Sequence, residues 1–161
     1  VVAAVNGHAI AGGAVLAFAA DARLMVDDSG ARIGTPELVV GVPFPRVPLE
    51  ITSHAVGPRV AHRLVFGADT LPPAEALALG LVDELVAADG LIERAVEVAN
   101  RLATAFPPDT FATTKAQLRR ETVERIDRYR VDEDPRVLEI WNRRATDGWT
   151  ARYLEQATRK R

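Results

Sequence analysis

Residues Val1–Met25 read VVAAVNGHAIAGGAVLAFAADARLM, and the order of signals in this stretch decides the fold. Val1–Val5 is a short apolar run with three valines, the pattern of a buried strand. Asn6-Gly7 breaks it, because both residues tolerate positive φ. Gly12-Gly13 then leads into Ala14–Ala20, an unbroken run of helix-tolerant apolar residues, and Ala22–Val26 reads as the next strand. Strand, tight loop, glycine pair, buried helix and second strand make an α/β unit.

Working outward, Asp27–Gly30 is a turn and Ala31–Gly34 a candidate short strand. Thr35–Pro48, TPELVVGVPFPRVP, contains four prolines and is expected to be a shaped loop without regular helix. Helical spacing begins after Pro48 with Leu49, Thr52 and Val56 and stops at Gly57-Pro58; Ala61–Phe66 is a further helix. In LPPAEALALG, Pro72 and Pro73 suit a first helical turn and Gly80 a C-terminal cap. Leu81–Val86 reads as extended chain. Leu91, Ala95, Ala99, Leu102 and Phe106 predict an amphipathic helix ended by Pro107-Pro108. Beyond it two or three helices are expected, one carrying Leu118, Thr122 and Ile126, another Leu138, Trp141 and Ala145, with Gly148 setting off Trp149–Lys160. The predicted division is an α/β region over residues 1–88 and a helical region, read as packing and assembly surface, over 89–161.

Composition removes several classes of function. The 161 residues include no cysteine, which excludes a disulfide scaffold, a thiol nucleophile and cysteine-ligated metal. The net charge of −2 argues against nonspecific nucleic-acid binding. Basic residues outnumber acidic ones 13 to 9 between Lys115 and Arg161, so attraction for anions is confined to the tail. Its last residues, Arg159, Lys160 and Arg161, suit either a solvated end or a phosphate contact. The most apolar run, Ala9–Ala20, is too short to span a bilayer and lacks the cationic lead-in of a signal peptide. A soluble, cytoplasmic, reducing setting is the resulting expectation.

Few arrangements of chemistry remain. His8, His54 and His62 have no metal-binding spacing with a third ligand, so no metal site is expected. The glycine pair lacks the Lys-Ser/Thr ending of a phosphate loop and the third glycine of a dinucleotide fingerprint. Neither Ser29 nor Ser53 sits in a nucleophile elbow. A glycine pair opening a helix points main-chain N–H groups at whatever lies before it, which suits an anion or an oxygen that becomes anionic. The competing account is that Gly12 and Gly13 only allow helix and strand to pack closely. Glu37, beside Pro36 and the apolar run LVVGV, is a carboxylate whose burial would raise its pKa toward general-base range.

Three segments in order, VVAAVNGHAIAGGAVLAFAADARLM, IGTPELVVGV and AVGPRVAHRLVFGADTLPPAEALALGLVDELV, resemble the enoyl-CoA hydratase/isomerase (crotonase) superfamily. The resemblance implies a spiral of ββα units, here its C-terminal portion, followed by a helical region. It implies an acyl-CoA thioester as partner, with no separate cofactor, and assembly as a homotrimer or dimer of trimers. By the same resemblance Gly12 matches an oxyanion-hole amide and Ala11 a position that is often glycine. Glu37 matches the acid/base glutamate, and Val15 falls where hydratases carry a second glutamate. The second oxyanion donor is expected upstream of Val1, the chain being read as a fragment. The VPFPRVPLE sequence replaces a glycine-rich hydratase loop, which resembles the 3,2-trans-enoyl-CoA isomerase branch, and Val42, Phe44 and Val47 are expected to line the acyl pocket or to pack in the core. Asp21 and Arg23 are read as a turn and strand anchor. The resulting expectation is a 3-enoyl-CoA isomerase, with a one-glutamate hydratase or a non-catalytic acyl-CoA-binding or assembly subunit as alternatives.

Overall fold

The computed structural model describes residues 1–159, with side chains through Gln156; Lys160, Arg161 and the side chain of Arg159 lie outside the described residues. The N-terminal stretch forms β1 (Val2–Val5), β2 (Ala9–Ile10), α1 (Gly12–Phe18) and β3 (Ala22–Val26). Next come β4 (Ile33–Gly34), α2 (Glu37–Val40), α3 (Arg46–Gly67), β5 (Thr70–Leu71), α4 (Pro73–Ala78) and β6 (Glu84–Val86). Three helices complete it: α5 (Leu91–Thr104), α6 (Pro108–Thr146) and α7 (Trp149–Arg159). The strands fall into two three-stranded sheets, β1-β3-β6 and β2-β4-β5. All pairs are parallel except β4–β5. β1–β2 and β3–β4 each add one strand to each sheet before a helix returns the chain, the ββα spiral of a crotonase-like fold, while β5 and β6 join the two sheets from either side of α4.

The core follows from the sequence of β3. As the central strand of its sheet it is covered on both faces, so Leu24, Met25 and Val26 are all buried without alternation. Ile33, Leu81, Val82 and Leu91 complete the innermost layer, and α5 adds Ala95 and Val98 over β1 and β3. Charged residues fix the entry to β3. Arg23 donates its backbone N–H (2.7 Å) and a guanidinium N–H (3.1 Å) to Asp83. Asp21 accepts from Lys115 (2.6 Å) and Arg119 (2.9 Å), tying β3 to α6. The α3–α6 contact is also ionic: Glu50, 5% exposed, accepts from Arg125 (2.7 Å) and pairs with Arg46 (3.3 Å).

Three expectations need correction. The proline-rich segment does contain helix. Pro36 precedes the single turn of α2, Gly41 ends it at φ 95°, and α3 starts at Arg46 with Pro48 in its first turn, where no N–H is required. Gly57 (φ 75°) breaks α3, but the helix resumes at once from Pro58 rather than ending. The two helices expected around Leu118 and Trp141 are one, α6, which runs 39 residues through Pro135. The carbonyl of Val131 that Pro135 leaves without a donor lies on an exposed stretch, where water can serve it. Among the described residues no helix is long and apolar enough to cross a membrane.

Gly34 is required by space. A Cβ there would stand 2.1 Å from the Asp69 carbonyl oxygen across the β4–β5 pair. Gly34→Ala should destabilise the protein by about 1–3 kcal/mol, read from the urea midpoint.

Candidate active site

The glycine pair opens α1 behind a strained residue. Ala11 has φ 54° and ψ −122°, a conformation suited to glycine and disfavoured for any residue with a Cβ. Its N–H is fixed on the Gly34 carbonyl (2.8 Å) and its carbonyl accepts from Val15 N–H (3.1 Å). The chain is thereby turned so that Gly12 enters the first helical turn, where an N–H has no carbonyl within the helix. Gly12 and Gly13 are exposed, and a Cβ at either would meet nothing within 4 Å. Close packing between helix and strand is therefore not what these glycines provide; they leave the backbone bare and approachable.

Glu37 comes from the next unit of the spiral. β4 leads through fully buried Thr35 to Pro36, and Glu37 opens the single turn of α2. Its own carbonyl accepts from the N–H groups of Gly41 and Val42, both at 3.0 Å. The residue is 8% exposed, and Oε2 has no hydrogen-bond partner. Burial pushes the carboxyl above its ordinary range, and a hydrogen bond from its own backbone N–H only partly offsets this. Such a group is a carboxylate held ready to take a proton.

Both parts face one cavity of about 530 Å³. Ala11, Gly12, Pro36, Glu37, Val40 and Val42 form one side. The other side belongs to α6 and α7, through Trp141, Arg144, Ala145, Gly148, Thr150, Ala151 and Leu154. The walls are largely apolar, and Glu37 is the one carboxylate among the described lining residues. The expected site residues separate here. Gly12, Ala11, Glu37 and Val42 are brought together. Val15, half-buried one turn along α1, does not line the cavity, nor do Val47 and the buried Phe44. His8 is exposed and off the cavity.

The α6–α7 wall was missed by the sequence reading, which assigned these helices to assembly. It is stitched to the Glu37 segment. Trp141 Nε1 donates to the Pro43 carbonyl (2.9 Å), Arg144 Nε to Gly41 (3.0 Å), Trp149 Nε1 to Val39 (3.2 Å) and Thr150 Oγ1 to Val40 (3.3 Å). The usable signal was the tryptophan pair flanking Gly148, large side chains with a polar edge that seek an acceptor when they pack.

Residues 1–158 match the profile of the enoyl-CoA hydratase/isomerase family. The chain belongs to that family. It is 30% identical over 160 residues to the mitochondrial enoyl-CoA delta isomerase 1 of Rattus norvegicus, covering 99% of this chain and 55% of that protein. It is 36% identical over 107 residues to a short-chain-enoyl-CoA hydratase of Clostridium acetobutylicum, covering 66% of this chain and 40% of that one. The crystal structure of human mitochondrial delta3-delta2-enoyl-CoA isomerase is similar with a TM-score of 0.83 at 27% identity, covering 99% of this chain and 62% of that chain. The chain spans about half the length of the curated relatives it matches. Within that half lie the ββα spiral and the largely apolar cavity onto which Glu37 opens.

The burial of Glu37 has a consequence for stability. A carboxyl whose pKa is raised on folding contributes stability below the ordinary glutamate value of 4.5, and the contribution is lost as pH climbs through the raised value. Glu37→Gln should therefore be more stable than the parent near neutral pH. Thermal melts across pH 4–8 should show the difference shrinking as pH falls toward 4.5; an unchanged difference would mean that Glu37 titrates normally.

Proposed function

We propose that the protein acts on acyl-CoA thioesters as a 3-enoyl-CoA to 2-enoyl-CoA isomerase, with Glu37 as the proton shuttle and the Gly12 amide as an oxyanion donor. The observation that carries this reading is a single buried carboxylate and a bare main-chain amide lining one largely apolar cavity. The Glu37 carboxylate removes a proton from C2 of the 3-enoyl thioester. The electron pair of that C–H bond spreads over the thioester oxygen and C4 as a dienolate, whose oxygen accepts a hydrogen bond from Gly12 N–H. The protonated Glu37 then returns the proton to C4, leaving the double bond between C2 and C3. No proton or electron is gained or lost overall, and no water enters.

Several features support the proton shuttle. The raised pKa of Glu37 makes its carboxylate a stronger base than an ordinary glutamate. A largely apolar cavity keeps water from quenching the dienolate. By the resemblance Val15 stands where hydratases of the family hold a second glutamate, and no second carboxylate is found among the described residues that line the cavity. The likeness to the rat and human isomerases points the same way.

The likeness to the Clostridium hydratase supports a second reading, hydration of a 2-enoyl thioester by one glutamate. Product analysis separates the two. Supplied with 3-enoyl-CoA, the protein should yield 2-enoyl-CoA without 3-hydroxyacyl product. Hydration of 2-enoyl-CoA with no migration in 3-enoyl-CoA would replace the isomerase reading by the hydratase one. Glu37→Gln should lower kcat by about 10²- to 10⁴-fold in either case.

A further inference from the structure

Helix α2 is one turn long and cannot satisfy its own last carbonyls. Glu37 and Leu38 carbonyls accept from the N–H groups of Gly41 and Val42. The next carbonyls would look four residues ahead for a donor. For Val39 that residue is Pro43 and for Gly41 it is Pro45, and neither has an N–H. The three carbonyls left over, Val39, Val40 and Gly41, are those taken by Trp149 Nε1, Thr150 Oγ1 and Arg144 Nε. Gly41 is shaped to the same contact: a Cβ there would lie 2.4 Å from Trp149 Cδ1. Arg144 is held in turn by pairing with Asp147, and its guanidinium lies 5.8 Å from the Trp149 ring centroid.

We propose that the elbow between α6 and α7 is a clip that positions Glu37, with Arg144, Trp149 and Thr150 acting as positioning residues through the carbonyls of Val39, Val40 and Gly41. The inference rests on the reading of Glu37 as the base and adds the residues that set where its carboxylate stands. α2 has no continuation of its own and no cap from its own side chains, so without the elbow its single turn would fray. Fraying would move Glu37, because its carbonyl is bonded to Gly41, which the elbow grips, and to Val42 beside it. None of the three positioning side chains needs to touch the reacting atoms.

The test uses Thr150→Val and the double variant Trp149→Phe/Thr150→Val in the intact protein, with Thr150→Ser as the conservative control and Glu37→Gln alongside. Two readouts are taken: kcat and KM with 3-enoyl-CoA, and amide hydrogen exchange at Gly41 and Val42. The clip predicts faster exchange at both amides. It also predicts a kcat loss of about 10- to 100-fold in the double variant with little change in KM, and recovery of most of the Thr150→Val loss in Thr150→Ser. Unchanged exchange would show that the elbow does not hold α2 and overturn the proposal. So would faster exchange with unchanged kcat, or a rise in KM alone, since either makes the elbow a wall rather than a clip. Full turnover by Glu37→Gln would remove the general-base reading, and the exchange data would then decide whether the clip exists.

Discussion

Glu37 carries a carboxylate oxygen into the interior with no donor to meet it. Leaving a buried polar group unpaired costs about 1–3 kcal/mol, more if it is charged. The rest of the site is arranged so that this state is held rather than relieved. Arginines pair the other deeply buried glutamate, Glu50, on both sides, which shows what the fold does with a carboxylate that has only a structural job. Glu37 has no such neighbour. Its backbone is bonded instead, through Gly41 and Val42 N–H on its carbonyl, so the chain is fixed while the carboxyl faces the cavity.

A second departure from local comfort stands on the same cavity. Ala11 adopts φ 54° and ψ −122°, a strain of about 1–3 kcal/mol for a residue with a Cβ. The compensation is specific: the Ala11 N–H is locked to Gly34 across the β2–β4 pair, and Gly34 is itself pressed against Asp69. The small sheet is thus the device that imposes the turn and presents the Gly12 amide. Strained backbone and an unpaired carboxylate stand on one cavity, each held by bonds to its neighbours, and ordinary packing requires neither.

Much of this was legible because it depends on local punctuation. Asn6-Gly7, Gly12-Gly13 and the Pro36-Glu37 step mark turns and helix starts within a few residues, and the central strand Ala22–Val26 announces itself by composition. α2 was not legible: a single turn between Pro36 and Gly41 leaves no periodic trace, and four nearby prolines read as a veto on helix. The continuity of α6 was hidden for another reason. Leu118, Thr122 and Ile126 lie on a different packing stripe from Leu138, Trp141 and Ala145, and Pro135 between them imitates a boundary. The Val15, Val47 and Phe44 positions followed from the family resemblance, whereas lining a cavity depends on which way each backbone turn faces. The far wall was out of reach altogether, since Trp141, Arg144, Trp149 and Thr150 meet the Glu37 segment from about a hundred positions away and no spacing rule spans that distance.

The prolines connect these observations. Gly41 ends α2 after one turn, and Pro43 and Pro45 keep the chain from resuming helix before α3 starts at Arg46, with Val42 left on the cavity. By the same act they remove the two N–H groups that could have completed the carbonyl bonds of α2. A loop built this way cannot be rigid by itself; its order must come from side chains supplied elsewhere. The C-terminal helices supply them, and in reaching the carbonyls they also roof the cavity. One set of contacts therefore closes the site and steadies its carboxylate. That coupling ties the helical tail to the proposed chemistry of the spiral as well as to its packing.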